Sequence, residues 1–368
     1  MISLFNPGDL ALVLVGYWVA FVIVLAIYLL GHYALARLNN VAVASVSLGF
    51  GKELLARNDA RGTRWRLCRV PLGGYVSFAI NDSTIGSQRL FDSLPVWRRA
   101  SVIVAGPAVG LTLTFALLAG LYFFNGASDF EPVIGTVVAG GPAEQAGLKS
   151  GDRVIEINGM IISGWTAMQR QITAAQQAKA LAVAIERSGS RQLLSIVPRT
   201  TTEADGLGGK VQVNSIGILR HSNQSAVWRP PFDAEFALRR GWDETIVILQ
   251  SVVQGMLNLV TGRTGLAQTG GFFTLALLLG FTAKAGLVAY LHAVALFSTL
   301  NAVLNMLPWP PLNGGHLLIL GLEAVRRKPL GARSSEFAFR VGTVLLLLLC
   351  LALLTADYLR ISALLRVR

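Results

Sequence analysis

The stretch LNMLPWPPLNGGHLL, residues 304–318, lies inside an uncharged run that extends from 285 to 322. That run exceeds the roughly 20 residues a helix needs to cross the hydrocarbon of a bilayer. Pro308, Pro310, Pro311, Gly314 and Gly315 nevertheless forbid one unbroken helix through it. A helix broken inside a membrane frees backbone N–H and C=O groups, which must find partners in protein or at a watery cavity. The stretch is therefore read as a cavity wall within an interrupted helix, with a simple helix end at the membrane surface as the alternative.

Working outward, uncharged runs also cover 10–36, 100–128 and 341–356, giving four spans in all. The 368 residues are 53% hydrophobic and only 14% charged, and the mean hydropathy is +0.56, which excludes a disordered or purely cytosolic chain. The first run has no basic residue before it and no small-x-small cleavage site after it, so it is expected to be retained as a span. A further uncharged, Gly-rich run at 264–283 fits a re-entrant or interfacial segment at least as well as a fifth span.

Charge sets the expected orientation. Between the first two spans ten basic residues face four acidic ones, which places that loop in the cytoplasm, while 125–284 carries fourteen basic and twelve acidic residues and is expected to face outward. Arg326, Arg327, Lys328 and Arg333 return the chain to the cytoplasm, and Arg360, Arg366 and Arg368 oppose this mildly. The same placement accounts for the net charge of +12 without nucleic acid. A transporter or channel would want polar or charged groups within its spans, and these spans offer almost none. Cys68 and Cys350 lie far apart, outside any metal-ligand spacing.

The outward segment contains a water-exposed insertion. PVIGTVVAG (132–140) alternates like a strand, and GGPAEQAGLKSGDRVIEINGMII (140–162) predicts a short helix, a turn at 150–152, a strand at 153–157 and a hairpin at Asn158-Gly159. Residues 168–178 read as a helix, and 180–198 as two strands around 188–190. The order and the string resemble a PDZ domain of the bacterial, circularly permuted type. Such a domain captures peptides by strand addition to a sheet edge; the plainer alternative is a plug that only blocks access. Beyond it, 211–219 reads as a strand, and the helical spacing of Phe236, Trp242, Ile246, Leu249, Val253 and Leu257 suits a helix in the membrane interface or one packed on the insertion.

Four strings now stand in order: LLGHYALARL (29–38), GFGKELLARNDARGTRWRLCRVPLGGYVSF (49–78), VAGPAVGLTL (104–113) and the 304–318 stretch. With the insertion they resemble the bacterial site-2 protease family, intramembrane zinc metalloproteases. The resemblance implies a polytopic α-helical membrane protein with four transmembrane helices, a membrane-associated β-rich loop and one PDZ-like α+β domain. Its segments are 1–38, first span; 39–96, cytoplasmic β-rich loop; 97–128, second span; 129–200, PDZ-like domain; 201–284, linker strand, amphipathic helix and possible re-entrant segment; 285–322, third span; and 323–368, basic loop and fourth span.

Zinc in that family is held by two His one helical turn apart, beside a Glu that serves as general base, and by a carboxylate from an LDGG string. At the matching positions this chain has Tyr28 for the first His, Leu29 for the Glu, Asn313 for the carboxylate, and only His32 retained. A phenol titrates near ~10 and is a poor ligand at neutral pH. Glu53 and Glu323, the carboxylates nearest these strings, are expected to be solvated at the interface. Gly110 and Leu300 stand where the family has Asn, while Asn305, Pro308, Pro310, Gly314 and Gly315 match and would line the substrate path.

The resemblance therefore implies a site-2 protease architecture without the chemistry. It describes a pseudoprotease of the bacterial inner (cytoplasmic) membrane, needing no cofactor, with its PDZ-like domain on the periplasmic side binding single-span membrane proteins or their exposed tails. The alternative is an active zinc-dependent intramembrane metalloprotease in regulated intramembrane proteolysis, with its metal on His32, Asn313 and His316.

Overall fold

A computed structural model describes residues 7–79, 90–162, 164–173, 175, 179–204, 210–221, 227–229, 231–262, 270–328 and 330–366. The chain divides into two compact units, one of 7–119 with 241–358 and one of 120–240 with 359–366.

The first unit opens with helix α1, Pro7–Leu38. Strands β1, Val43–Asn58, and β2, Arg64–Phe78, follow as a folded-over hairpin. Residues 45–48 sit between 64–67 on one side and 74–77 on the other, and 53–58 pair with 64–68 as an outer layer. The fold-over occurs at the GFG string. Gly49 has φ +94°, and a Cβ there would stand 3.0 Å from the Cys68 and Val70 carbonyl oxygens, so only glycine passes. Asp59 ties the hairpin to the end of α1. Burial alone would raise its carboxyl, but donors from Thr63 N–H, Tyr33 Oη, Trp65 Nε1 and Arg61 N–H bring it down to about 2.

Helix α2, Val96–Asn125, runs from this unit into the second. There β3 is Ala127–Asp129, β4 Ile134–Val137, α3 Pro142–Gln145, β5 Arg153–Ile157, β6 Met160–Ile161, α4 Trp165–Thr173, β7 Leu181–Arg187 and β8 Ser190–Ile196. Strands β6-β5-β7-β8 form an antiparallel sheet. Asn158 and Gly159, both at positive φ, make the expected hairpin turn. Ile134, Ile157, Met168, Val183, Ile185 and Ile196 fill the core. Asp152, 1% exposed, accepts from Arg187 Nε at 2.7 Å and Nη2 at 2.6 Å. Burial would raise its carboxyl, yet the Arg187 guanidinium and the Lys149 N–H hold it below the usual range.

This unit runs past residue 200, where the sequence had ended it. After β9, Arg199–Ala204, the expected single strand at 211–219 is two: β10, Lys210–Ser215, pairs with β9, and β11, Ile218–Arg220, pairs with β4. Gly217 at φ +76° makes the break. Backbone bonds to 151–154 already occupy one edge of the 132–134 segment, so the chain returns to cover the other, burying Ile216 in the same core. β12, Val227–Arg229, pairs with β3. The expected helix at 168–178 begins earlier, at Trp165, and 174 and 176–178 lie outside the described residues.

Helix α5, Ala234–Val260, re-enters the first unit. Its first half packs on α2, which neither expected placement included. Trp242 meets Phe115 at 6.1 Å between ring centroids, Phe236 meets Tyr122 at 6.3 Å, and a Cβ on Gly241 would stand 2.7 Å from Ala119 N. Val253, Leu257 and Val260 further along are exposed.

The Gly-rich run is helix α6, Phe272–Ala285, whose 14 residues are too few to span a bilayer; 264–269 lie outside the described residues. It packs on α1, where Gly280 faces Val13 and Gly16 faces Leu279 and Ala283. Helix α7 is Leu287–Asn305, α8 Asn313–Arg326 and α9 Ala332–Arg366. The expected third span is thus two helices, because Pro308, Pro310 and Pro311 deny helical N–H donors to the 306–312 link. Four helices, carrying 11–38, 96–125, 287–305 and 333–359, are long and apolar enough to cross a membrane.

Asp357 on α9, 1% exposed, caps α6. Its oxygens accept Gly271 N–H at 3.0 Å, Phe273 N–H at 2.8 Å and Thr274 N–H at 3.2 Å, with the Thr274 hydroxyl at 2.8 Å. We predict that Asp357→Ala lowers stability by about 1–3 kcal/mol, since buried donors at a helix start lose their acceptor. Asp357→Asn, which keeps one oxygen, should cost less. The thermal unfolding midpoint of the detergent-solubilised chain reads both.

Candidate functional site

Positions 28 and 32 fall one helical turn apart and share a face of α1. The rings of Tyr28 and His32 meet edge to face, 5.0 Å between centroids. Against them comes the backbone of α2 at Gly106, where a Cβ would collide with the His32 imidazole and lie 2.6 Å from Tyr28 Cζ. Any larger residue at 106 would push the two helices apart. Next in sequence, Pro107 sits inside α2. Proline has no N–H, so the carbonyl four residues earlier, that of Ile103, lacks its helical donor.

Asn313, the first residue of α8, supplies that donor. Its Nδ2 gives hydrogen bonds to Ile103 O at 2.8 Å and to His32 Nε2 at 3.1 Å. A carbonyl only accepts, so the contact with Ile103 fixes which amide atom is nitrogen. His32 Nε2 must then be the acceptor, and the ring proton sits on Nδ1, which donates to Val102 O at 2.7 Å. The imidazole is therefore neutral, with both nitrogens engaged. One amide joins α1, α2 and α8 at a single point.

Close packing of the 306–312 link brings Asn313 there. A Cβ on Gly314 would run into the Met306 and Leu307 carbonyls, and one on Gly315 into the Pro310 backbone. These glycines, read from the sequence as lining a substrate path, sit buried in the first turn of α8. Asn305 ends α7 and donates to Asn301 O at 2.9 Å, and Pro308 and Pro310 lie in the link. At the other end of α8, Glu323 is ion-paired with Arg99 of α2, with side chains 15% and 12% exposed, rather than solvated as expected. Glu53, by contrast, is on the surface with Arg64 and Arg66.

Leu29 is 3% exposed and packs among Val43, Val46 and Val102, with its Cδ1 over Gly74 of the hairpin. Tyr28 Oη is buried beside the Asn313 side chain and makes no hydrogen bond of good geometry among the described residues. His316 Nδ1 bonds Leu312 O at 3.1 Å, and its ring packs on Phe339 of α9 at 5.0 Å. No hydrogen bond joins His316 to His32. Gly110 lets α2 approach α7: its carbonyl accepts from Ser298 Oγ at 2.8 Å, and Thr114 bonds Thr299 at 2.9 Å beside it. The Val102 and Ile103 carbonyls escaped sequence reasoning, although Pro107 signals the second.

The family described as Peptidase family M50 matches residues 16–349. Proteins of Mesorhizobium japonicum and Agrobacterium fabrum, each named "Putative zinc metalloprotease", are 33% and 32% identical over 352 residues, covering 92% and 91% of this chain and 95% and 93% of their own. Metalloprotease MmpA of Caulobacter vibrioides is 30% identical over 362 residues, 88% of this chain and 90% of its own. The residues present do not fit a zinc held in the family's manner. The imidazole lone pair is taken by an amide N–H, the amide presents nitrogen rather than oxygen to it, and Leu29 is apolar packing. Among the described residues no three His, Cys, Asp or Glu side chains gather as ligands would.

If the amide bridge is what holds the three helices, Asn313→Ala strands two buried acceptors and lowers stability by about 1–3 kcal/mol for each. Tyr28→Phe removes a hydroxyl with no well-formed hydrogen bond, so it lowers stability by less than about 1 kcal/mol or raises it. Chemical denaturation of the two variants beside the natural chain checks both.

Proposed function

The chain belongs to peptidase family M50, and from that premise we propose that it is a pseudoprotease, a member that keeps the membrane architecture and has exchanged its zinc centre for a structural hydrogen bond. The observation that carries this reading is the Asn313 amide seated on His32 Nε2. Leu29 supports it, since a packed leucine cannot move a proton.

What remains to such a protein is binding. The insertion is read as a permuted PDZ-like domain, placed on the periplasmic side of a bacterial inner membrane, with the basic hairpin loop in the cytoplasm. β11 pairs with β4 on one side, and among the described residues no backbone bond occupies its other edge. A strand from a partner's tail would add there, its backbone giving affinity and adjacent pockets giving choice. The partners are single-span membrane proteins or their exposed tails, held for protection, presentation or sequestration.

The names of the relatives favour the other reading, a working metalloprotease, whose zinc would here have to sit on His32, Asn313 and His316. It requires the Asn313 side chain to leave Ile103 and turn its oxygen inward.

The binding mechanism is tested by capturing synthetic tail peptides of single-span membrane proteins on the purified full chain. Met168 is fully buried in the insertion's core, so Met168→Asp disrupts that unit. Capture should fall at least tenfold in the variant. Undiminished capture would refute binding through the insertion.

A further inference from the structure

A cavity of about 530 Å³ opens between α1 and the hairpin sheet. That volume lies within the ~300–1,000 Å³ of ligand pockets. Its wall is apolar, with Ala26, Leu30, Leu48 and Leu67 among the lining residues, and two cations, Arg57 and Arg66, complete it. Arg57 is exposed and makes no ion pair among the described residues. Arg66 Nε is buried without a hydrogen-bond partner among them, although Nη1 reaches Glu53 Oε1 at 3.3 Å, Nη2 donates to Tyr75 Oη and the guanidinium lies over the Tyr75 ring. Over residues 50–70 the hairpin carries Lys52, Arg57, Arg61, Arg64, Arg66 and Arg69 against Glu53 and Asp59 alone. Glu53 is shared by two of these arginines, and Asp59 is engaged by Tyr33, Trp65 and the 61–63 backbone.

The geometry points to a bound anionic phospholipid, one acyl chain along the apolar wall and the phosphate against Arg57 and Arg66. The wall belongs in part to a membrane-spanning helix, so a hydrocarbon chain reaches it without leaving the bilayer. An apolar wall ending at the unpaired Arg57 guanidinium, and at Arg66, which shares its one carboxylate with Arg64, matches a molecule with one long chain and one anionic head. A soluble anion would leave the wall wet, and a neutral lipid would leave Arg57 unpaired. The inference rests on α1 spanning a membrane and is independent of whether the centre at His32 binds metal.

Native mass spectrometry of the delipidated full chain tests it, with phosphatidylglycerol, phosphatidylcholine of the same chains, and inorganic phosphate as probes. One phosphatidylglycerol should bind per chain, about fivefold or more tighter than phosphatidylcholine, as follows from about 1 kcal/mol per basic residue at an anionic surface. Arg57→Gln should remove about fivefold of that preference. Ala56→Phe, which fills the cavity from an exposed strand position, should weaken both lipids. Unchanged unfolding midpoints show that the variants fold. Equal binding of the two lipids, full competition by inorganic phosphate, or indifference to Ala56→Phe would each overturn the assignment. Displacement of the lipid by a synthetic transmembrane peptide, one for one, would give the cavity to a polypeptide instead.

Discussion

One side-chain amide governs the centre of the membrane unit. Asn313 Nδ2 serves two acceptors that would otherwise be buried and unpaired, the Ile103 carbonyl and His32 Nε2. Each such group left alone costs about 1–3 kcal/mol. The carbonyl is free because Pro107 has no N–H to give it, and the imidazole needs an acceptor's partner because its proton is committed to Val102. The amide at 313 is thus a structural member of the centre. It supplies the donor that both acceptors need.

Much of the surrounding structure serves to place that amide. Gly106 admits the imidazole against α2, and Gly314 and Gly315 let the 306–312 link fold flat on the start of α8. Arg99 and Glu323 fasten the far end of α8 to α2. Leu29 is part of the packing between α1 and the hairpin. One polar group of this centre, the Tyr28 hydroxyl, lacks a well-formed hydrogen bond among the described residues.

The residues of this centre were legible in the sequence because the family's strings are short and ordered, so that Tyr28, Leu29, His32 and Asn313 could be assigned position by position. Their mutual arrangement was not. That Asn313 would turn its nitrogen toward His32 depends on the Ile103 carbonyl, which becomes free only through a proline three residues from any assigned position. The spans were readable from uncharged runs, whereas the division of 285–322 into α7 and α8 and the 14-residue α6 followed from proline and glycine placement whose outcome is tertiary. In the insertion, the Asn158-Gly159 turn and strands β5, β7 and β8 carry strong local signals. β10 and β11 do not, because a single Gly217 sends the two halves of one apparent strand to different partners.

The most direct measurement of the central claim is zinc per chain, by elemental analysis of the protein purified in detergent, beside His32→Ala and the triple variant Tyr28→His/Leu29→Glu/Asn313→Asp. The account predicts no stoichiometric zinc in the natural chain and zinc in the triple variant, the fold having outlasted the chemistry. About one zinc per natural chain, lost in His32→Ala, would contradict it.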